Sequence, residues 1–300
     1  MPHSFPDVPR RSPQELQRQR DIALELFRER RREEGPRAFA AACAEIEPKV
    51  LNVLEVTNNL LDLNGDVFVQ DPTLWQTMRY FCAPPVSEED LWTLVGDSKF
   101  KRVPPELAEE TARAISDVLD PVRFPWVGVG AQPTVVQKSS AVLATTTLLA
   151  QRFVGTSRRG EASFRQEGAV ANALERAGFG FDASRTAIDF IDVMVRGTYS
   201  RERKVGDSKC DVPTRLLDGR LLAIECKVSN GPKNGWKRVN REVGGKSSSW
   251  KGNFGSQIVT AVVLAGVFDV SCLVSVQNEH VALFWEHDLD ELSSFVESTS

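Results

Sequence analysis

Three hundred residues with an ordinary apolar share, 41%, suffice for one large or two average globular domains. A net charge of −4 supplies no global basic field, so any affinity for a polyanion must come from locally concentrated charge. The cysteines (Cys43, Cys82, Cys210, Cys226, Cys272) form no CxxC pair, which excludes a zinc-ribbon pattern or a disulfide framework and points to free thiols in a reducing compartment.

The opening MPHSFPDVPRRSP has no apolar core of a signal peptide, and the longest apolar run, Ile258 to Phe268, is too short to cross a bilayer. A soluble, cytoplasmic protein without a membrane partner is expected. Residues 1–11 carry Pro2, Pro6 and Pro9 and no periodicity, and read as disordered. Ser12-Pro13-Gln14-Glu15 then marks a helix start: Ser12 can cap, Pro13 fits the first turn and Glu15 can close a capping box. Leu16, Ile22, Ala23, Leu26 and Phe27 follow at helical spacing, with a stop expected at Gly35-Pro36. The Arg/Glu-rich surface from Arg28 to Glu34 reads as solvated i,i+4 pairs, with DNA contact by Arg30, Arg31 or Arg32 as the alternative.

Helical patterns continue over Phe39 to Asn64, with a break near Pro48, and over a short aromatic stretch from Thr73 to Phe81. Ser87-Glu88-Glu89-Asp90 opens another helix with an acidic first turn, which suits the macrodipole. Pro104-Pro105 begins one that runs to about Leu119, and Pro133 to Val154 forms a long one. Trp75, Trp92 and Trp126 read as core aromatics. Lys99, Lys101 and Arg102 sit in a loop after Gly96-Asp97-Ser98, either bland or facing phosphates.

Arg158-Arg159-Gly160 is the expected boundary between a helical domain, 1–157, and an α/β domain, 158–300. Glu161 to Ala177 has helical spacing and a stop at Gly178. Ala187 to Val195 alternates like a strand, and the charged stretch from Tyr199 to Gly206 reads as a loop. Lys209 to Leu217 and Leu221 to Val228 read as strands joined by the turn signal Asp218-Gly219. By strand alternation Ala223, Glu225 and Lys227 share one face, while Cys210, Val212, Ile224, Cys226 and Val228 are available for burial. Asp211, Glu225 and Lys227 can then converge on one exposed edge.

Two carboxylates and an amine held together are costly unless a cation compensates them. Mg²⁺ takes such oxygen ligands, acidifies bound water and neutralises charge developing on phosphorus, while a lysine can orient or deprotonate the water. Asp189 and Asp192 are rivals to Asp211, with Asp192 ranked second. The segment 229–256 is basic in an acidic protein. Lys233, Lys237, Arg238, Arg241, Lys246 and Lys251 stand against Glu242 alone, interleaved with Ser229, Asn230, Asn234 and Asn240. It reads as a DNA-contacting segment. Phe254 to Val267 reads as a buried helix, Val270 to Val276 and His280 to Trp285 as strands, and His287 to Val296 as a closing amphipathic helix. His280 and His287 have no partner at metal-ligand spacing and read as structural.

The pattern Asp-x(13)-Glu-Cys-Lys at Asp211, Glu225 and Lys227 is similar to the PD-(D/E)xK nuclease signature, with Cys210 in place of the leading proline. GDSKCDV, IECKVSNG, APPVSEEDLWTLVGDSK and LFWEHDLDEL together resemble the XamI family of type II restriction endonucleases, which shares features with SalI. The resemblance implies an α/β (α+β) fold, with an all-helical N-terminal region before a nuclease core whose mixed sheet is flanked by helices. It also implies Mg²⁺-dependent double-strand cleavage of DNA leaving 5′-phosphates, a homodimer acting on a palindrome, and a cognate DNA methyltransferase in the same system without a stable complex. Carried as far as these segments match, it implies the target GTCGAC. By the same resemblance the Cys226 carbonyl joins Asp211 and Glu225 around the metal, and Glu167 supplies a further carboxylate, against its reading as an ordinary surface residue. A repair or nicking nuclease, or a DNA-binding protein without catalysis, are the alternatives.

Overall fold

The computed structural model describes residues 7–96 and 98–300; residues 1–6, Asp97 and the side chains of Arg158 and Arg159 lie outside the description. The expected disorder of residues 1–6 and the loop position Asp97 therefore fall outside it. Residues 7–11 are irregular but tied down. The Arg11 N–H donates to Gln277 Oε1 at 2.9 Å and Gln277 Nε2 donates back to the Arg11 carbonyl at 2.8 Å, while the Arg11 guanidinium reaches the Leu283 carbonyl and Glu291.

Among the described residues, those up to Glu33 and those from Arg158 to Ser300 form one compact unit, and Glu34–Ser157 form a second. The division falls inside two long helices, α1 (Pro13–Val56) and α7 (Val135–Arg176), each of which contributes a segment to both units. The capping box at Ser12 and Glu15 forms as expected. The stop at Gly35-Pro36 and the break at Pro48 do not occur. Both prolines are exposed, as are Arg32 and Ala44, whose carbonyls lose their helical partner and can turn to water instead. The helix is likewise unbroken at Arg158-Arg159-Gly160 and ends at Gly178, whose φ of +83° suits glycine.

The second unit is helical: α2 (Gly65–Gln70), α3 (Trp75–Met78), α4 (Glu88–Leu94), α5 (Ala108–Ser116) and α6 (Pro125–Val129), with parts of α1 and α7. Ser87 and Asp90 form a capping box on α4. Its core holds Trp75, Phe81, Phe124 and Trp126, with Phe81 and Phe124 stacked 5.1 Å apart. Each indole N–H finds a carbonyl: Trp75 on Lys101, Trp92 on Phe100 and Trp126 on Asn59. These tryptophans are packing residues.

The other unit is built on a six-stranded mixed sheet. Its strands are β1 (Gly180–Phe181), β2 (Thr198–Tyr199), β5 (Val212–Arg215), β6 (Leu221–Asn230), β7 (Ile258–Val267) and β8 (Val281–Trp285), hydrogen-bonded in that order. A separate hairpin pairs β3 (Arg203–Val205) with β4 (Ser208–Cys210). β5 and β6 are antiparallel; β6, β7 and β8 are parallel. α8 (Pro232–Trp236), a π-helix (Lys237–Val243) and α9 (Gly244–Phe254) lie between β6 and β7, α10 (Val270–Asn278) lies between β7 and β8, and α11 (Asp290–Glu297) follows β8. One sheet face, with Val212, Ile224, Cys226 and Val263, packs on α7 and α11. The other is covered by α10 and Leu16 and Ala23 of α1 beside Val262 and Leu264, and by Trp250 and the β3–β4 hairpin beside Leu221 and Ala223. The chain is thus mixed α/β, with helices on both sides of its sheet.

Several expected elements change type. Phe254 to Val267 is not a helix but mainly β7, and Val270 to Val276 is helical α10 rather than a strand. β7 is buried along nearly its whole length, so it shows no alternation to set it apart from a buried helix. Ala187 to Val195 is irregular with one 3₁₀ turn, and the expected loop from Tyr199 to Gly206 contains β3. Strand alternation puts Cys210 and Val212 on one face, yet Cys210 packs with Ala223 and Val212 with Ile224. The chain bends at Asp211, between β4 and β5, and the bend reverses the parity.

Candidate active site

The bend at Asp211 organises the site. β5 pairs with β6 from Val212 opposite Ile224 to Arg215 opposite Leu221, closed by a turn in which Gly219 takes a φ of +95°. Just beyond Val212 the strand leaves β6, and the Asp211 side chain takes up the donor left behind. Its Oδ2 accepts from the Cys226 N–H at 2.8 Å and from Lys227 Nζ at 3.0 Å. Its Oδ1 accepts no hydrogen bond from the described residues.

Lys227 Nζ also lies 2.8 Å from Glu225 Oε2. Asp211, Glu225 and Lys227, from two segments, are therefore one ion cluster. The expected exposed edge is not where they meet: Glu225 is fully buried and the Lys227 and Asp211 side chains are mostly covered, because β6 lies inside the sheet between β5 and β7. A buried carboxylate is tolerated only when paired, and Glu225 has a second partner that spacing alone does not indicate. Lys246 on α9 places Nζ 2.9 Å from Oε1 and 2.8 Å from Oε2, and 2.6 Å from the Lys209 carbonyl.

Burial pushes the Glu225 carboxyl above its ordinary value; Lys227 and Lys246 pull it back and Asp211 adds to the rise. Burial alone would depress the Lys227 ammonium, but Glu225 and Asp211 reverse this and hold it above the usual lysine value. Lys227 is thus a firmly protonated cation in the free protein. Glu167, on α7 and partly buried, is raised by burial and then by the charge of Asp211, so it stands within electrostatic reach of the cluster. Cys226 turns its thiol to the apolar face with Ile224, and burial pushes that thiol well up. Only its backbone remains available to the cluster.

The other expected positions divide. Asp192 lies on the 3₁₀ turn and pairs with Arg215 from solvent at 2.9 Å, and Asp189 is exposed. In the basic segment, Asn230, Lys233, Asn234, Lys237 and Arg241 are exposed, and Arg241 lies over the Trp236 ring at 5.9 Å. Ser229 is buried with its hydroxyl on the Gly231 carbonyl, and Arg238 donates to the Val228 carbonyl at 2.6 Å. Asn240 is half-buried, with a buried Oδ1 lacking a partner, and Lys251 donates to the Glu279 carbonyl at 2.7 Å. Arg30 is held by Glu286. His287 contacts Gln19.

Among the described residues no three His, Cys, Asp or Glu side chains converge at metal-ligand spacing, and no helix is long and apolar enough to cross a membrane. The donors that do gather are hard oxygens: two carboxylates, one with an open Oδ1. That chemistry suits an alkaline-earth dication, which needs only one or two protein carboxylates when water and phosphate complete its shell.

Comparison with known proteins places the chain in a family. Across 66% of this chain and 76% of its own length, the type II restriction enzyme XamI of Xanthomonas campestris pv. amaranthicola is 35% identical over 215 residues. A solved structure, protein VC1899 from Vibrio cholerae, overlaps 44% of this chain and 32% of its own, at 16% identity and a TM-score of 0.29, a level from which nothing is concluded. The model of the XamI restriction endonuclease family matches residues 58–285, taking in Glu167, Asp211, Glu225, Lys227 and Lys246, so this chain is an enzyme of the XamI restriction endonuclease family.

Proposed function

We propose that the protein hydrolyses both strands of DNA at a short palindromic site, GTCGAC by resemblance, using Mg²⁺ and leaving 5′-phosphates. The observation that supports this most is the meeting of Asp211, Glu225 and Lys227 within hydrogen-bond distance although the chain bends away between them. Asp211, Glu225 and the Cys226 carbonyl would hold the cation. When bound, it polarises the scissile phosphate, acidifies a water and offsets charge on the leaving 3′ oxygen.

The chain's own groups set the rest. Lys227, braced between two carboxylates, orients or deprotonates the attacking water and offsets charge on the phosphate. Glu167, its carboxyl raised by burial, is the outer carboxylate beside Asp211. Asn230, Lys233, Asn234, Lys237 and Arg241 offer the exposed donors to phosphates and base edges. The reading as a core of the PD-(D/E)xK kind, with a helical domain serving dimerisation or DNA clamping, belongs to the same proposal. A palindromic duplex has two-fold symmetry, which a homodimer matches with one site per strand.

Digestion of a sequenced plasmid with Mg²⁺, followed by mapping of the ends, tests it. Discrete fragments with 5′-phosphates are expected with Mg²⁺ and none with chelator. Cleavage that persists in chelator, or binding without any cleavage in Mg²⁺, overturns the reading. A repair or nicking nuclease would yield nicks or structure-dependent products, and a DNA-binding protein no cleavage at all.

A further inference from the structure

Lys246 lies outside the signature, and although it belongs to the basic segment its ammonium is turned to Glu225. Its ammonium sits among three oxygens, the Lys209 carbonyl and both oxygens of Glu225, at 2.6–2.9 Å. That is a hard-oxygen shell closed around a cation. Its helix is anchored one turn further on by Trp250, which is fully buried and donates its indole N–H to the Val205 carbonyl at 2.9 Å.

Glu225 therefore carries two ammonium groups, and the two lysines are not equivalent. Lys227 is 12% exposed and bound to both Asp211 and Glu225. Lys246 is 25% exposed, bound to Glu225 alone among the acids, and carried on a flexible stem from the basic segment. A dication on Glu225 with both ammonium groups in place would put like charges in contact. One must leave, and the geometry selects Lys246.

We propose that Lys246 is a resident counter-ion that occupies the cation position on Glu225, is displaced when a divalent metal binds, and is thereby released to a DNA phosphate. The inference rests on the reading of Glu225 as a metal ligand. It gives the metal a second role, because loading frees a basic side chain at the site of the phosphate, so that loading and DNA contact reinforce one another.

The test is Mn²⁺ binding to the full chain without DNA, followed by the paramagnetic resonance of free Mn²⁺. Lys246→Gln keeps a donor to Glu225 without the charge, and Lys246→Met removes both; the two guard against a folding defect in either. Removing a competing charge is expected to tighten Mn²⁺ binding by about tenfold in both variants. Glu225→Gln is expected to abolish it. Unchanged or weaker Mn²⁺ binding in both Lys246 variants, with Glu225→Gln still abolishing it, overturns the inference and leaves the nuclease reading standing. Normal Mn²⁺ binding by Glu225→Gln overturns the metal reading itself, and the inference with it. A second readout needs no activity. With Ca²⁺ in place of chelator, the salt dependence of duplex affinity should steepen by about one phosphate contact in the wild type. It should not change in Lys246→Gln; an equal change in both overturns the release step.

Discussion

Replacing Asp211 by Asn and, separately, by Ala divides the two duties of its carboxylate. One is structural: Oδ2 accepts the N–H of Cys226, a residue only 6% exposed. Without an acceptor that N–H costs about 1–3 kcal/mol. Asn retains an acceptor oxygen; Ala does not. The charge itself contributes little on balance. Losing it removes the attraction to Lys227, which keeps Glu225, and also relieves the repulsion that raises Glu225 and Glu167. Asp211→Asn should thus lie within about 1 kcal/mol of the wild type, and Asp211→Ala about 2 kcal/mol below it, a Tm loss of roughly 4–8 °C. The other duty is chemical, and both variants should lose cleavage by on the order of a thousandfold. Calorimetric melting of the metal-free proteins and initial rates on a single-site plasmid read the two duties independently. A cutting Asp211→Asn refutes the ligand role, and an Asp211→Ala as stable as Asp211→Asn refutes the role in accepting the Cys226 N–H.

Lys227→Met should lose cleavage by at least about a hundredfold while retaining specific duplex binding in Ca²⁺; rates and gel shifts on one duplex check this, and normal cutting contradicts it. Cys226→Ala should keep cutting, because only the backbone of Cys226 faces the cluster, with a stability loss of about 1 kcal/mol seen by urea unfolding. Burial holds the Cys82 thiol at about 12 and the Cys272 thiol at about 11, and Cys210 and Cys226 well above the ordinary value, so a thiol reagent at neutral pH should label Cys43 first, as peptide mapping would show. The raised Glu225 carboxyl has a worked sign: the folded metal-free protein keeps a proton that the unfolded chain releases at about pH 4.3. Its contribution is present below that pH and is lost as pH rises through the raised folded value. The stability difference between wild type and Glu225→Gln, followed against pH, should shift towards the variant over that window, and Mg²⁺ should reduce the shift; a difference flat in pH excludes it.

The cluster is legible in the sequence because its members are close together and carry an alternation that β6 obeys: Glu225 and Lys227 fall on the side of Ala223, Cys226 on the side of Ile224. The caps at Ser12 and Ser87 are legible for the same local reason. Lys246 is not, since what brings it to Glu225 is the packing of α9 beside the sheet, which leaves no spacing rule to follow. As one of several lysines in a basic segment it reads as a DNA contact. β7 reads as a helix because a parallel strand buried on both faces is a continuous apolar run, and α1 reads as broken although exposed prolines can be carried inside a helix when water serves the freed carbonyls.

β7 runs beside β6 in register from Leu221 opposite Ile258 to Asn230 opposite Val267, and it is made only after the intervening helices. A ribosome-bound polypeptide that has not yet reached Ile258 already contains Asp211, Glu225, Lys227 and Lys246, but the edge of β6 that β7 covers in the finished sheet is still open.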